Sequence, residues 1–294
     1  MSLTYIIPAV LTILLLAMII SVIVKSTLQD HYSLSKHSYR SNLNVQTYLN
    51  TLHGPIEDLQ EQCLHLFGKG SFWLDLSSNK GDSLIEVLVR QIFEFHVPNE
   101  YRHSPNAGAE FWVQIRDQTK HDSLPFHFDK DESLFLREGL MINPHIATVT
   151  YLSQDRSPPT VVTDLTVEDV DVKTDNYFKT AKSVFVSFPE RGKHLAFQGN
   201  MYHGVLGRIN SQGSANPRIT LLVNIWLTGR PSNTKILARW PNRSCTSIRF
   251  DPSVKEIPTH VGSDRNMTQT NQPVQDIPQH ILKNPKISSC IISY

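Results

Sequence analysis

The sequence is poor in the features that mark several large classes of protein. Its formal net charge is only +1 over 294 residues, so no basic field points to nucleic acid or to an anionic surface. It has three cysteines, Cys63, Cys245 and Cys290, and their spacing is not that of a zinc site or a disulfide framework. It contains no internal repeat. With 40% apolar and 19% charged residues, the composition is that of a globular protein.

Charge is also missing from the start of the chain. Residues 2–24 contain no charged side chain, and about 20 apolar residues are enough for a helix to cross a bilayer. A cleaved signal peptide is the alternative, but it would need a basic n-region and a small-x-small cleavage site. Here nothing basic precedes the apolar run, and residues 22–24 at its end are bulky. We expect an uncleaved single-pass signal-anchor over residues 1–25, followed by a polar stalk over residues 26–45.

Two signals disagree about the side of the membrane on which the main domain lies. Lys25, Lys36 and Arg40 follow the apolar run, and the positive-inside rule then places the domain in the cytosol. The sequons that begin at Asn242 and Asn266 could be glycosylated only in the lumen. The orientation therefore stays open, with the secretory pathway favoured.

The segment of residues 46–100 has a helical texture. Apolar residues recur at every third or fourth position over residues 45–66, which predicts a helix interrupted at Gly54-Pro55. A second helix is predicted over residues 83–95, with Asp82 or Ser83 as its cap.

After Pro98 the pattern changes to short β-rich runs separated by turn residues. These runs are residues 111–115, 147–152, 160–163, 183–188, 194–197 and 219–227. Several short strands without long helices between them indicate a sandwich or barrel, which we place at residues 101–241. Residues 242–294 are polar and Pro-rich, and we expect either a poorly ordered tail or an extended segment that lies on the domain.

A first candidate for a metal site lies in the segment of residues 125–132. His127 and Asp129 are two residues apart, and on a strand such positions share one face. An imidazole and a carboxylate on one face supply two of the three ligands of a facial Fe(II) site, and the third would come from a distant strand. The pattern is short, and a surface strand with a charged aspartate is the alternative.

A third histidine and an arginine extend this pattern in a fixed order. His203 ends a strand-like run just before Gly204, and Arg218 begins a strongly apolar strand. Over roughly residues 105–230 the order His-x-Asp…His…Arg and the strands around it resemble the Fe(II)- and 2-oxoglutarate-dependent dioxygenases. The resemblance implies a mainly β fold with flanking helices, built on a double-stranded β-helix (jelly roll) and preceded here by the transmembrane helix.

The resemblance also implies the ligands of the iron. His127, Asp129 and His203 would hold Fe(II). His194 competes with His203 for the third position. We favour His203 because it precedes a glycine at the end of a strand-like run, as the family ligand does, whereas His194 lies beside Lys193 in an expected turn.

The binding site for 2-oxoglutarate follows from the same resemblance. Arg218 would bind the distal carboxylate, because a planar guanidinium matches a carboxylate with two hydrogen bonds. Thr220 fits the Arg-x-Ser/Thr pattern that adds a hydroxyl to this carboxylate, and Tyr151 is a further candidate. Arg208 competes with Arg218, but it is followed by a polar loop.

The implied reaction uses O2 and 2-oxoglutarate, releases succinate and CO2, and hydroxylates a substrate. Asp129 argues against a halogenase, which needs that coordination position for halide. Prolyl hydroxylases are the nearest subgroup by strand texture, although prolyl 4-hydroxylases usually use lysine where this chain has Arg218. The substrate is a protein side chain or a small molecule, and no nucleic-acid partner is expected. A silent jelly-roll binding module on a membrane, or an enzyme with another metal and no 2-oxoglutarate, are the alternatives.

Overall fold

The computed structural model describes most of the chain between Val45 and residue 262. The residues described are 16, 18–20, 45–76, 83–116, 123–153, 159–171, 176–177, 181–205, 207–208, 217–238, 247–256, 259–262 and 274–275. Within them the protein is mainly β with few helices.

The strands and helices follow one another along the chain as short elements. The strands are β1 Gln46–Leu49, β2 Leu52–His53, β3 Phe72–Asp75, β4 Gly108–Arg116, β5 Leu124–His127, β6 Ile146–Tyr151, β7 Thr160–Thr166, β8 Val170–Asp171, β9 Asn176–Tyr177, β10 Ser183–Ser187, β11 His194–Gln198, β12 Met201–Val205, β13 Gly207–Arg208, β14 Arg218–Trp226, β15 Lys235–Ile236, β16 Arg249–Phe250, β17 Val254–Glu256, β18 Thr259–Gly262 and β19 Val274–Gln275. The helices are α1 Ile56–Leu66, α2 Leu84–His96, α3 Asn99–Arg102 and α4 Glu132–Glu138, and Val167–Asp169 form a 3-10 turn.

Two sheets contain the strands that matter for the candidate site. The larger has eight strands in the order β15-β3-β4-β14-β6-β11-β1-β17, and the smaller has five in the order β18-β10-β7-β12-β5. One apolar cluster contains Tyr151, Phe197 and Leu222 of the larger sheet together with Val162 and Met201 of the smaller. The two sheets therefore pack face to face, with this cluster between them.

The outer face of the larger sheet is covered by helices. Leu59 of α1 and Ile92 of α2 pack in one fully buried cluster with Phe111 of β4 and Val223 of β14. Because side chains alternate along a strand, every second residue of β14 faces these helices, and the residues between them, including Arg218, face the smaller sheet.

The second helix that the sequence predicts is confirmed. It runs over Leu84–His96, and the hydroxyl of Ser83 accepts a hydrogen bond from the backbone N–H of Glu86 at 3.2 Å. Ser83 is thus the N-cap, and the first turn of α2 is closed at the residue that the sequence indicates.

The first predicted helix is wrong over its N-terminal half. Gln46–Leu49 and Leu52–His53 are strands, and α1 begins only at Ile56. β1 forms antiparallel ladders with both β11 and β17, and these long-range hydrogen bonds outweigh the local helical period. Gly54, with φ of +117°, turns the chain between β2 and α1.

The β-rich runs are confirmed as β4, β6, β7, β10, β11 and β14, with ends that differ by a few residues. The segment after residue 242 also contributes strands, because β17 pairs with β1 and β18 pairs with β10. These parts of the tail are extended segments that lie on the sheets. The domain boundaries at residues 45, 100 and 241 stay predictions.

Most of the predicted membrane anchor lies outside the described residues. Within the part of the chain that is described, no helix is long and apolar enough to cross a bilayer. Of residues 1–25 the structure describes only residues 16 and 18–20, which are helical and have exposed apolar side chains. The stalk, apart from Val45, also lies outside the described residues.

Candidate metal centre

The two candidate histidine ligands lie opposite each other on neighbouring strands. β5 and β12 pair in antiparallel register, with His127 opposite His203. Directly opposite residues present their side chains on the same face of a sheet, and the two imidazole centroids are 4.5 Å apart. A pairing of distant segments, which the sequence could only suggest, thus brings the two rings together.

Asp129 completes the cluster from just beyond the end of β5. Its Oδ1 is 3.5 Å from Nε2 of His127, and its Oδ2 is 3.8 Å from Nε2 of His203. The sequence predicts that Asp129 continues the strand, but β5 ends at His127. The three ligand atoms all lie within 4.8 Å of one another. This set fits one divalent metal about 2 Å from each donor, and two histidines with one carboxylate are the ligand set of non-haem Fe(II).

The backbone fixes which ring nitrogen of each histidine faces the cluster. Nδ1 of His127 is 2.8 Å from the carbonyl oxygen of Pro125, and Nδ1 of His203 is 2.9 Å from that of Met201. A carbonyl can only accept, so both rings donate from Nδ1. In the neutral rings Nε2 then keeps its lone pair and faces Asp129, which is the arrangement that a metal requires.

The protonation states of Asp129 and His203 also suit a cation. Burial lowers the pKa of His203 to about 4, although the charge of Asp129 opposes this shift. For Asp129 burial disfavours the carboxylate, but the charge of His203 and hydrogen bonds from His127 and Asn224 together lower the pKa to about 2. Burial also acts to lower the pKa of His127, but the hydrogen bond with Asp129, the charge of Asp129 and the hydrogen bond with the Pro125 carbonyl together outweigh burial, and the pKa is raised. A bound cation would stabilise the same carboxylate and the neutral ring of His203, and it would replace the proton that Asp129 favours on His127.

Three residues around the cluster were missed by the sequence analysis. Asn224 of β14 hydrogen-bonds to the carboxylate of Asp129, and Nδ2 of Asn143 donates to the backbone carbonyl of Asp129 at 2.6 Å. Glu110 lies opposite Asn224 on β4, and its Oε2 accepts a hydrogen bond from Nε1 of Trp226 at 3.1 Å. Burial raises the pKa of Glu110 to about 7. The signal for Asn224 was available, since it is a polar residue inside an apolar strand.

Two of the three predicted 2-oxoglutarate contacts lie together in the structure. Arg218 is buried, with its guanidinium carbon 5.1 Å from the ring centroid of Tyr151. Nη2 of Arg218 and the hydroxyl of Tyr151 both donate to Oγ1 of Thr160, at 3.0 and 2.9 Å. Thr160, which the sequence analysis did not select, therefore joins the arginine of the larger sheet to the smaller sheet.

Thr220 hydrogen-bonds to the neighbouring strand in the structure. Its hydroxyl donates to the backbone carbonyl of Gln114 on β4, at 3.2 Å. The hydroxyl thus contacts the neighbouring strand, and the hydroxyl beside Arg218 is that of Thr160.

Of the two competing residues, His194 lies away from the metal cluster, and the side chain of Arg208 is not described. His194 begins β11 and is fully buried, with Nε2 at 2.9 Å from Nε2 of His96 and Nδ1 at 2.8 Å from Oγ1 of Thr150. It shares its face of β11 with Ala196, which packs in the helix-covered cluster, so it lies on the other side of the sheet. For Arg208 only the backbone is described, in β13.

Comparisons by sequence find no relative: no protein-family model matches the chain, and no curated protein does. Among solved structures, the chain is similar to SnoN, a non-haem α-ketoglutarate-dependent epimerase from nogalamycin biosynthesis, with 11% identity, 83% of this chain and 100% of that chain covered, and a TM-score of 0.42. It is similar to a prolyl 4-hydroxylase from Phytophthora capsici, with 15% identity, coverage of 61% and 56%, and a TM-score of 0.33. A third is an oxidoreductase of the 2OG-Fe(II) oxygenase family from Burkholderia pseudomallei, with 14% identity, coverage of 43% and 47%, and a TM-score of 0.25.

The chain spans about half the length of the Burkholderia and Phytophthora proteins. Identities of 15% or less and TM-scores below 0.5 leave the metal cluster as the basis for any functional proposal. The solved structures to which this chain is similar include members of the family that the His-x-Asp…His…Arg order of its sequence resembles.

Proposed function

We propose that this chain is a non-haem Fe(II)- and 2-oxoglutarate-dependent dioxygenase built on a double-stranded β-helix, with His127, Asp129 and His203 as its iron ligands. The observation that carries the proposal is the convergence of these three donor atoms within 4.8 Å. The Nδ1 hydrogen bonds of both rings support it, because they direct the metal-binding nitrogens toward the carboxylate. Three protein ligands leave coordination positions for a chelating co-substrate and O2.

The bound iron would supply the oxidation chemistry. One oxygen atom of O2 would end in succinate as 2-oxoglutarate loses CO2, and the other would enter the substrate as a hydroxyl. The protein would bind and orient the co-substrate and the substrate, and it would exclude water from the site. Arg218, held by Thr160 and Tyr151, would orient the distal carboxylate of 2-oxoglutarate. Phe197, whose ring centroid is 4.8 Å from that of His203, would form an apolar wall beside the bound metal. The role predicted for Thr220 rests on its position in the sequence alone.

The substrate that we propose is a protein side chain or a small molecule that enters next to Asp131. A cavity of about 440 Å³ is bordered by Asp131, two residues after Asp129, and by Trp226, the hydrogen-bond partner of Glu110. This volume lies in the range of pockets that hold small organic ligands. Apolar residues such as Leu134, Leu140 and Ile142 form much of the remaining wall.

Membrane anchoring is a separate proposal that rests on the uncharged segment of residues 2–24. The exposed apolar side chains of residues 16 and 18–20 are consistent with contact with lipid. If the proposal holds, the expressed chain stays with membranes after extraction at alkaline pH. Glycosylation at Asn242 or Asn266 would then place the domain in the lumen. Release into the supernatant would contradict the anchor without affecting the enzyme proposal.

The enzyme proposal is tested with the full chain by two readouts. Fe(II) together with 2-oxoglutarate should raise the thermal midpoint, because a ligand that binds only the folded state stabilises it. Succinate should be released from 2-oxoglutarate in an iron-dependent manner. Both effects should disappear in His127→Ala and persist in His103→Ala, which removes an exposed histidine elsewhere. An unchanged thermal midpoint in the wild type, or a shift that His127→Ala retains, would overturn the proposal.

A further inference from the structure

A further carboxyl group lies beside the metal cluster, on the face of the larger sheet that the helices do not cover. Ala109 and Phe111 of β4 pack in the helix-covered cluster, so Glu110 between them faces the smaller sheet. Glu110 lies opposite Asn224, which hydrogen-bonds to the carboxylate of Asp129. Opposite residues of a ladder have Cβ atoms about 5 Å apart. Glu110 is therefore a direct neighbour of the asparagine that supports the cluster.

The charged groups that act on Glu110 have its own sign. Burial raises the pKa of this carboxyl to about 7, and the charges of Asp129 and Asp131 act in the same direction. The hydrogen bonds from Ser71 and Trp226 oppose them. Within the described part of the chain, no lysine or arginine forms an ion pair with Glu110. A buried carboxylate without a cationic partner costs free energy, so this position lacks a cation.

Glu110 keeps hydrogen-bonding capacity for a ligand. An ionised carboxylate accepts at about four positions, and Ser71 and Trp226 fill two of them. The metal of the proposed function would not offset the remaining charge, because Asp129 and the chelating carboxylate of 2-oxoglutarate already balance a divalent ion. A second cation is therefore needed beside Glu110.

Three of the chain's four tryptophans lie around Glu110. Trp73 lies opposite Glu110 on β3, and its ring covers Gly108 so closely that a Cβ atom there would overlap it. Trp112 is two residues further along β4 and so lies on the same face as Glu110. Nε1 of Trp226 donates to Oε2 of Glu110 at 3.1 Å. Aromatic rings attract a cation through their negative faces, and a carboxylate among such rings suits an ammonium group.

The same residues border space that a ligand can enter. Trp226 forms part of the wall of the cavity of about 440 Å³. Glu110 and Trp112 are only half-buried, although they lie in the middle of a sheet. Among the described residues that line the cavity, the only cation is Arg230, and its guanidinium donates to Thr234. The charge of Glu110 is thus left for a cation that comes from outside.

We propose that the substrate carries an ammonium group, free or methylated, and that Glu110 binds this group with the rings of Trp112 and Trp226 beside it. This inference rests on the proposed function and names the chemical class of its substrate. A neutral hydroxyl or amide would form similar hydrogen bonds, but it would leave the buried charge of Glu110 without compensation. Glu110 therefore determines specificity, because it favours the cation over a neutral molecule of the same shape.

The test compares cations with neutral molecules of the same shape, by calorimetry on the full chain with Mn(II) and 2-oxoglutarate bound and without O2. Choline is paired with 3,3-dimethyl-1-butanol, in which carbon replaces the charged nitrogen. N-acetyl-lysine N-methylamide is paired with the norleucine compound, which lacks only the ammonium group. The wild type should bind at least one cation about 10-fold or more tightly than its neutral partner, since a hydrogen bond or ring contact with a charged group is gained. The pair that shows the preference distinguishes a free quaternary amine from a lysine side chain.

Three variants assign the preference to particular residues. Glu110→Gln keeps the size of the side chain without its charge, and it should bind both members of the pair equally. Glu61→Gln removes an exposed carboxylate on α1 and should keep the wild-type preference. Trp112→Leu should reduce the preference about 3-fold, because one aromatic face is lost.

The outcomes distinguish this inference from the proposed function. If the wild type binds 2-oxoglutarate but prefers neither cation, the inference is wrong and the proposed function stands. A preference that Glu110→Gln retains would also overturn the inference. If Glu110→Gln no longer binds Mn(II), the wild type and Trp112→Leu decide, and a preference that Trp112→Leu leaves unchanged then counts against the inference. If the wild type with Mn(II) binds no 2-oxoglutarate, the proposed function itself fails.

Discussion

Two pairs of histidines lie on opposite sides of the larger sheet, and they differ in what their ring nitrogens contact. His127 and His203 turn Nδ1 to backbone carbonyls and Nε2 toward Asp129. His96 and His194 contact each other through Nε2, at 2.9 Å, and have aromatic neighbours such as Phe95 and Phe250. The first pair directs both Nε2 atoms at a shared carboxylate, whereas the Nε2 atoms of the second pair contact each other.

The contrast shows that burial alone does not make a histidine a candidate ligand. Burial lowers the pKa of both His96 and His203, to about 3 and about 4. What differs is the carboxylate and the carbonyl acceptors that set the tautomer. We therefore expect substitutions in the first pair to lower metal affinity and substitutions in the second pair to lower the free energy of unfolding.

The largest effect is expected from removal of a ligand. His203→Ala should weaken Mn(II) binding by more than about 100-fold, because even the loss of a residue that only supports a ligand costs up to that amount. Calorimetric titration of the full chain measures this. Binding within a few-fold of the wild type would mean that His203 is not a ligand.

The matching substitution in the second pair should act on folding. His194→Ala removes a fully buried ring and leaves His96 and Thr150 without its nitrogens, so the free energy of unfolding should fall by about 2 kcal/mol or more. Urea unfolding measures the change. Mn(II) affinity should stay at the wild-type value, and a loss like that of His203→Ala would break the distinction between the pairs.

A smaller effect is expected for the asparagine that supports Asp129. Asn224→Ala removes a hydrogen bond to the carboxylate and should lower Mn(II) affinity by about 10-fold. Asn106→Ala, an exposed residue at the wall of the cavity, serves as the control. Equal affinities in both variants would show that Asn224 does not position the ligand.

The most gradual effect is a dependence of stability on pH. The pKa of His96 is lowered to about 3, and burial also lowers the pKa of His194, whereas an unfolded histidine has a pKa of about 6.5. The unfolded chain then binds more protons at these two sites, so their contribution to the stability of the metal-free protein should be complete above pH of about 6.5 and fall as the pH decreases below it. Urea unfolding at several pH values should give a shallower fall for His194→Ala, and an equal slope would contradict this origin.

The sequence predicted the elements with strong local signals and failed where long-range pairing decided the structure. Ser83 and the period of α2 indicate a helix that the structure confirms. β1 has the spacing of a helix but forms ladders with β11 and β17, which no local pattern reveals.

The same distinction applies to the residues of the candidate site. The sequence pointed to His127, Asp129 and His203 because their order resembles a known pattern, and the structure places them in one cluster. Thr160 could not be chosen from the sequence. It lies beside Arg218 only because the two sheets pack face to face, and a threonine in a strand carries no distinguishing signal.

The most direct test of the central claim is a titration of the full chain with Mn(II) and then with 2-oxoglutarate, under anaerobic conditions, in the wild type and in Asp129→Ala. If His127, Asp129 and His203 share one metal beside a dicarboxylate, the wild type binds one ion per chain. It then binds 2-oxoglutarate only when the ion is present, and Asp129→Ala loses both. Binding of the ion to Asp129→Ala with the wild-type affinity and stoichiometry would contradict the claim.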